Sequence, residues 1–170
     1  LFQNSLMHPL SVTLIQSNIH WENKEANLKQ FTEKITKQTA PGQLVILPEM
    51  FTTGFSMNPA QLAETMDGPT VQWMKQMAAQ QKIILTGSVM IAEDGKFYNR
   101  LLWVLPNGVV AHYDKRHLFA YAGEDQFYTS GNKRFIASVN GWKINLLICY
   151  DLRFPVWARQ QITDAPEYDL

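Results

Sequence analysis

The sequence predicts an α/β domain in which a mixed sheet, or two sheets, is covered by helices on the outside. Three observations predict it. Strand-like and helix-like periodicities alternate in the first half, strand follows strand in the second, and turn dipeptides stand at the joints between those strands. With 170 residues, 46% of them apolar, the chain has single-domain size and enough apolar side chains for a core.

Leu1 to Leu6 precede Met7 without the charged and apolar regions of a secretory signal, and read as an expression remnant ahead of a domain running from 7 to 170. Residues 11–17, rich in Val, Thr, Leu and Ile, form a strand. From Asn23 the pattern becomes helical, with Leu28, Phe31 and Ile35 on one face until Pro41-Gly42 stops it. Leu44 to Leu47 is a short, wholly apolar run of the kind that is buried on both faces. A second helix runs from Pro69 to Gln81: proline suits the first turn, and Val71, Met74, Met77 and Ala78 share a face. Then come strands over 83–91, 98–105, 109–113, 134–139 and 143–148. Asp94-Gly95, Asn107-Gly108 and Asn140-Gly141 supply the positive φ of tight hairpins, so much of this half is an antiparallel meander. Pro155 opens a helix through Trp157 to Gln161, and Tyr168-Asp169-Leu170 begins another strand, so the domain is expected to be incomplete at its C-terminus.

Composition excludes several classes of function. Fifteen Lys and Arg balance fifteen Asp and Glu, leaving no basic surplus for nucleic acid. No apolar run reaches the roughly 18 residues needed to span a bilayer, so no membrane is expected as a partner. A single cysteine cannot form an internal disulfide, which points to a reducing compartment, the cytoplasm. His112 and His117 stand five apart, which fits neither a helical metal pair nor a zinc spacing, and no glycine-rich phosphate loop is present.

Chemistry concentrates at the ends of strands. Cys149 follows Ile144 to Ile148 on a turn into a helix, an address that exposes a nucleophile and leaves backbone N–H groups for an oxyanion. Taken alone, a lone cysteine is more often a buried small hydrophobe. Glu49 lies just past the strand at Leu44 to Leu47, and Lys115 lies two residues past Tyr113. Each alone reads as a solvated loop charge. Together they share the strand-end position where open α/β sheets collect ligands, and their roles interlock: a thiol attacks, a carboxylate moves the proton, an ammonium meets the oxyanion.

Leu47-Pro48-Glu49-Met50-Phe51, Tyr113 to Leu118 and Ile148-Cys149-Tyr150-Asp151-Leu152-Arg153-Phe154-Pro155 resemble, in order, the three signature segments of the nitrilase superfamily, the carbon-nitrogen hydrolases. Pro48 to Asn58 is most similar to the omega-amidase branch. The resemblance implies a four-layer αββα sandwich pairing as a homodimer, with Glu49 as general base, Lys115 as oxyanion stabiliser and Cys149 as nucleophile. It requires no cofactor or metal. Glu124, in Ala122-Gly123-Glu124, matches the family's second glutamate beside the triad. The implied reaction is hydrolysis of the terminal amide of a 2-oxo acid such as 2-oxoglutaramate, through a thioester, with the Tyr150 N–H completing the oxyanion site. Arg153 or Arg116 is the candidate for the substrate carboxylate, and Phe51 for the pocket wall. Two alternatives stand beside this. One is a protease- or transglutaminase-like enzyme using His117 or His112 as base; the other is a truncated, non-catalytic relative that binds acyl compounds or dimerises.

Overall fold

The computed structural model describes residues 8–37, 43–160 and 165–170. The expected N-terminal remnant, the Pro41-Gly42 helix stop and the helix end at Gln161 lie outside them. Strand β1 (Val12–Leu14) leads to helix α1 (Lys24–Thr36), whose first turn is capped by Asn23, its side chain accepting from the Ala26 N–H at 3.0 Å. Phe31 and Ile35 of α1 are fully buried. β2 (Leu44–Ile46) follows, then the short α2 (Pro59–Leu62) and α3 (Pro69–Gln81), the latter with the bounds the periodicity predicts and with Val71, Met74, Met77 and Ala78 all buried.

β3 (Ile84–Glu93), β4 (Lys96–Val104) and β5 (Val110–Asp114) complete a five-stranded sheet in sequence order. β1, β2 and β3 are parallel because helices carry the chain back between them, whereas β3, β4 and β5 are antiparallel hairpins. Asp94 and Gly95 both have positive φ, as do Asn140 and Gly141 between β6 (Ile136–Val139) and β7 (Trp142–Asn145). The third dipeptide behaves differently: only Gly108 is left-handed. Pro106 fixes the first turn position and the Gly108 N–H returns to the Leu105 carbonyl at 2.9 Å, so the loop is a proline-led turn closed by a glycine.

Alternation along the strands assigns the layers. Val45, Leu85, Val89, Ile91, Leu102 and Val104 face α1 and α3, while Leu44, Ile84, Leu101, Trp103 and Tyr113 pack against Ala137 and Ile144 of the β6–β7 sheet. Helix, sheet and second sheet are thus three successive layers of the expected sandwich. Gly87 matters here, since a Cβ on it would come within 2.8 Å of Leu47 Cβ and push the loop after β2 off the sheet. After β7 the chain turns through a 3₁₀ segment (Cys149–Arg153) into α5 (Pro155–Ala158). No strand is assigned to 168–170, but the Asp169 N–H bonds the Lys143 carbonyl and Leu170 accepts from the Asn145 N–H, both at 2.7 Å, along the edge of β7.

Candidate active site

Two residues with left-handed backbone flank the place where the sheets meet. Met50, directly after Glu49, has φ 45°, and Cys149 has φ 42°. Such a conformation costs an ordinary residue free energy and persists only where neighbours hold it. At the first turn the Met50 N–H donates to the buried Ser88 Oγ at 2.8 Å, which anchors the Glu49 loop to β3. At the second, the Ile148 N–H donates to Asp151 Oδ2 at 3.1 Å.

Asp151 is fully buried and also accepts from the Tyr113 hydroxyl and the His117 N–H, both at 2.8 Å, with His117 Nδ1 at the same distance. Tyr113 OH in turn accepts from Trp157 Nε1 at 3.0 Å. One carboxylate therefore pins the segment carrying Lys115 to the turn carrying Cys149. Burial, together with the Asp151 charge, pushes the Tyr113 hydroxyl well above its ordinary range, so it remains a donor.

Lys115 follows β5 and is 1% exposed. Its Nζ lies 2.7 Å from Glu49 Oε1 and 2.9 Å from Glu124 Oε2, and stands over the Phe55 ring at 5.1 Å. Glu124, at the start of α4 (Glu124–Phe127), is fully buried and accepts from the Phe119 N–H at 2.6 Å. Burial works against the lysine's charge, but the two glutamates outweigh it and hold the ammonium above its ordinary range. The Cys149 thiol is pushed up by burial, then by the charge and hydrogen bond of Glu49, with Lys115 opposing. It rests as a thiol beside a carboxylate positioned to take its proton.

Glu49, Lys115, Glu124 and Cys149 thus come together. Cys149 is exposed, and an open cavity of about 590 Å³ beside it is lined by Phe119, Tyr121, Tyr150, Leu152 and Arg153. Of the two candidate arginines, Arg153 faces this cavity. Arg116 donates to the Gly131 carbonyl at 3.0 Å and lies over the Trp157 ring. Phe51 is not a pocket wall: it is fully buried on the helix side of the sheet, edge-on to Phe31 at 5.5 Å, because the turn at Met50 directs it under the loop. A separate cavity of about 500 Å³ is lined by Arg100, His112, Asp114 and Lys133, among others. The Arg100 charge there is met by Asp114 at 2.6 Å and Glu93 at 2.8 Å, and no nucleophilic thiol lines it. Among the described residues no cluster of His, Cys, Asp and Glu is arranged to hold a metal, and no helix is long and apolar enough to cross a membrane.

Sequence reasoning passed over Asn99, Ser88 and Asp151. Asn99, fully buried on β4, donates to Glu49 Oε1 at 2.8 Å and to Glu124 Oε1 at 3.0 Å. Its signal was an amide at the start of the buried stretch of a strand, followed by Arg100 and then by apolar residues.

The carbon-nitrogen hydrolase family model matches residues 11–164. The omega-amidase YafV of Escherichia coli (strain K12) is 42% identical over 164 residues, covering 96% of this chain and 62% of that protein. The 2-oxoglutaramate amidase of Bacillus subtilis (strain 168) is 31% identical, covering 90% of this chain and 60% of that protein. Among solved structures, XC1258 from Xanthomonas campestris, a CN-hydrolase superfamily protein with an arsenic adduct in its active site, superposes with a TM-score of 0.92 at 39% identity, covering 96% of this chain and 63% of that one. The chain therefore spans about three-fifths of the length of each of these three proteins.

Proposed function

The chain belongs to the carbon-nitrogen hydrolase family, and from that premise we propose that it is an amidase acting on the terminal amide of a small carboxylic acid, with Cys149 as nucleophile, Glu49 as general base and Lys115 as oxyanion stabiliser. One observation carries the reading: the only thiol stands at a left-handed turn beside a carboxylate that a buried ammonium holds in place. Glu49 takes the thiol proton as sulfur bonds to the amide carbon. The negative charge that develops on the carbonyl oxygen meets the Lys115 ammonium and the Tyr150 N–H, which lies in the first turn of the 3₁₀ segment and outside its internal bonding. Glu49 then returns the proton to the departing nitrogen, ammonia leaves, and a thioester remains on Cys149. Water activated by Glu49 attacks the thioester and releases the acid and the thiol. No step calls on a cofactor or a metal.

The names of the relatives, omega-amidase and 2-oxoglutaramate amidase, support a 2-oxo acid carrying a terminal amide as substrate. Arg153, exposed on the cavity wall, is the cation for its remote carboxylate. His117 is a structural residue in this reading: its Nδ1 faces Asp151 and its ring stacks on Phe154 at 3.8 Å, so the thiol's base is Glu49. The enzyme works in the cytoplasm as a homodimer. The test is ammonia release by the full-length protein from 2-oxoglutaramate and from amides of similar length lacking the carboxylate. We expect turnover of the first at least tenfold above the second, and none with Cys149→Ala; equal rates on both would remove Arg153 from its role, and no turnover on any amide would remove the enzyme.

A further inference from the structure

Both nitrogen donors that reach Glu49 fall on one oxygen. Lys115 Nζ at 2.7 Å and Asn99 Nδ2 at 2.8 Å both bond Oε1. The same Asn99 nitrogen bonds Glu124 Oε1 at 3.0 Å, so its two hydrogens are divided between two carboxylates that share a single lysine. The orientation of the amide follows from chemistry, since turning it over would aim a carbonyl oxygen at two carboxylate oxygens. The other end, Asn99 Oδ1, is buried and has no hydrogen-bond partner among the described residues. A fully buried amide with an unsatisfied acceptor is costly in a strand interior, and any aliphatic side chain would avoid that cost.

We propose that Asn99 is a positioning residue for the base: it occupies Glu49 Oε1 together with Lys115, leaves Oε2 as the oxygen that takes the thiol proton, and ties the two glutamates side by side. The role of Glu49 here rests on the amidase reading, whereas the geometry around Asn99 does not depend on the substrate. Among the described residues, the titratable groups around Glu49 are Lys115 after β5, Glu124 in α4 and Cys149 after β7, with Tyr128 facing Glu124. Two carboxyl groups here share one ammonium. A donor directed at both favours the anionic form of a carboxyl group, and its removal favours uptake of a proton. A Glu49 that has already taken a proton cannot receive one from the thiol.

Asn99→Leu keeps the branching and the number of side-chain heavy atoms and removes the donor; Asn99→Ser retains a single smaller donor and covers the case in which the larger leucine prevents folding. In the full-length protein, checked for a wild-type circular dichroism spectrum, kcat/KM against pH is measured beside the pH dependence of Cys149 labelling by iodoacetamide. Loss of a hydrogen bond to a charged group corresponds to about one to two pH units. We expect the acid limb of both curves to move up by that amount in the leucine variant and by less in the serine variant, with KM changed less than kcat and kcat/KM at neutral pH down at least tenfold. A folded variant of either kind whose acid limbs stay in place overturns the proposal, even if its rate is lower. If the wild type labels normally but turns over no amide, the amidase reading fails while the labelling curves still decide the role of Asn99.

Discussion

Glu49 and Cys149 form a pair whose resting state is unreactive by design of charge. Burial and the neighbouring carboxylate push the thiol up, so at neutral pH little thiolate exists unless Glu49 holds the proton. The sign of the effect can be followed in labelling. In the wild type, iodoacetamide should react at a rate nearly flat across neutral pH, because proton transfer to Glu49 is internal. In Glu49→Gln that route is closed, the thiol must lose its proton to solvent, and labelling should rise steadily with pH. Amide turnover in the same variant should fall by about 10² to 10⁴-fold, the usual worth of a general base. Near-normal turnover in a folded Glu49→Gln protein would require another base. Glu49, Lys115 and Cys149 could be picked out in the sequence because each stands just past a strand end. Asn99 could not: it faces the site from the middle of β4, and nothing in a single sequence tells which side of a buried strand faces a lysine.

Among the elements, α3 shows what periodicity decides: a proline at its start and a stripe of four apolar residues define both its length and its buried face. The hairpin at Asn107-Gly108 shows what dipeptide rules leave out, since Pro106 restricts the turn before asparagine can adopt positive φ. β7 is shorter than its apolar run because Leu146 and Ile148, buried against the first sheet, continue inward after the pairing with β6 ends at Asn145. There the 3₁₀ segment begins, and Asp151 is its anchor. Asp151→Asn keeps the shape but can no longer accept on both oxygens from Ile148, Tyr113 and His117. We expect kcat to fall at least tenfold, with stability lower by roughly 1–3 kcal/mol, the cost of leaving a buried donor unpaired. His117→Ala removes the ring contacts and the Nδ1 bond to Asp151, but its backbone N–H still reaches Asp151. Its kcat should remain within about tenfold of wild type, well inside a general-base effect. The opposite order of damage, measured with melting curves beside the rates, would favour a histidine-based mechanism.

For the whole molecule, the site is divided between layers. Glu49 and Lys115 extend from the five-stranded sheet, whereas Cys149 leaves the two-stranded one, so the distance from thiol to base depends on how the sheets dock. The seam between them is the packing of Leu101, Trp103 and Tyr113 on Ala137, Ile144, Leu146 and Ile148. The other face of the first sheet packs on the helices, where Ile35 is fully buried in a cluster that holds none of Glu49, Lys115, Glu124 and Cys149. Two substitutions of equal chemistry separate the contributions. Ile144→Val and Ile35→Val each remove one methylene, and each should lower stability by about 0.5–1.5 kcal/mol, measured by denaturant unfolding. The seam variant should in addition lose several-fold in kcat, because close packing transmits a small shift between sheets to the thiol and reacting atoms must approach within about 3–3.5 Å. The helix-side variant should keep its kcat. Equal kcat in both, at equal loss of stability, would mean that the Asp151 anchor alone fixes Cys149 and that sheet docking sets stability without setting the reaction geometry.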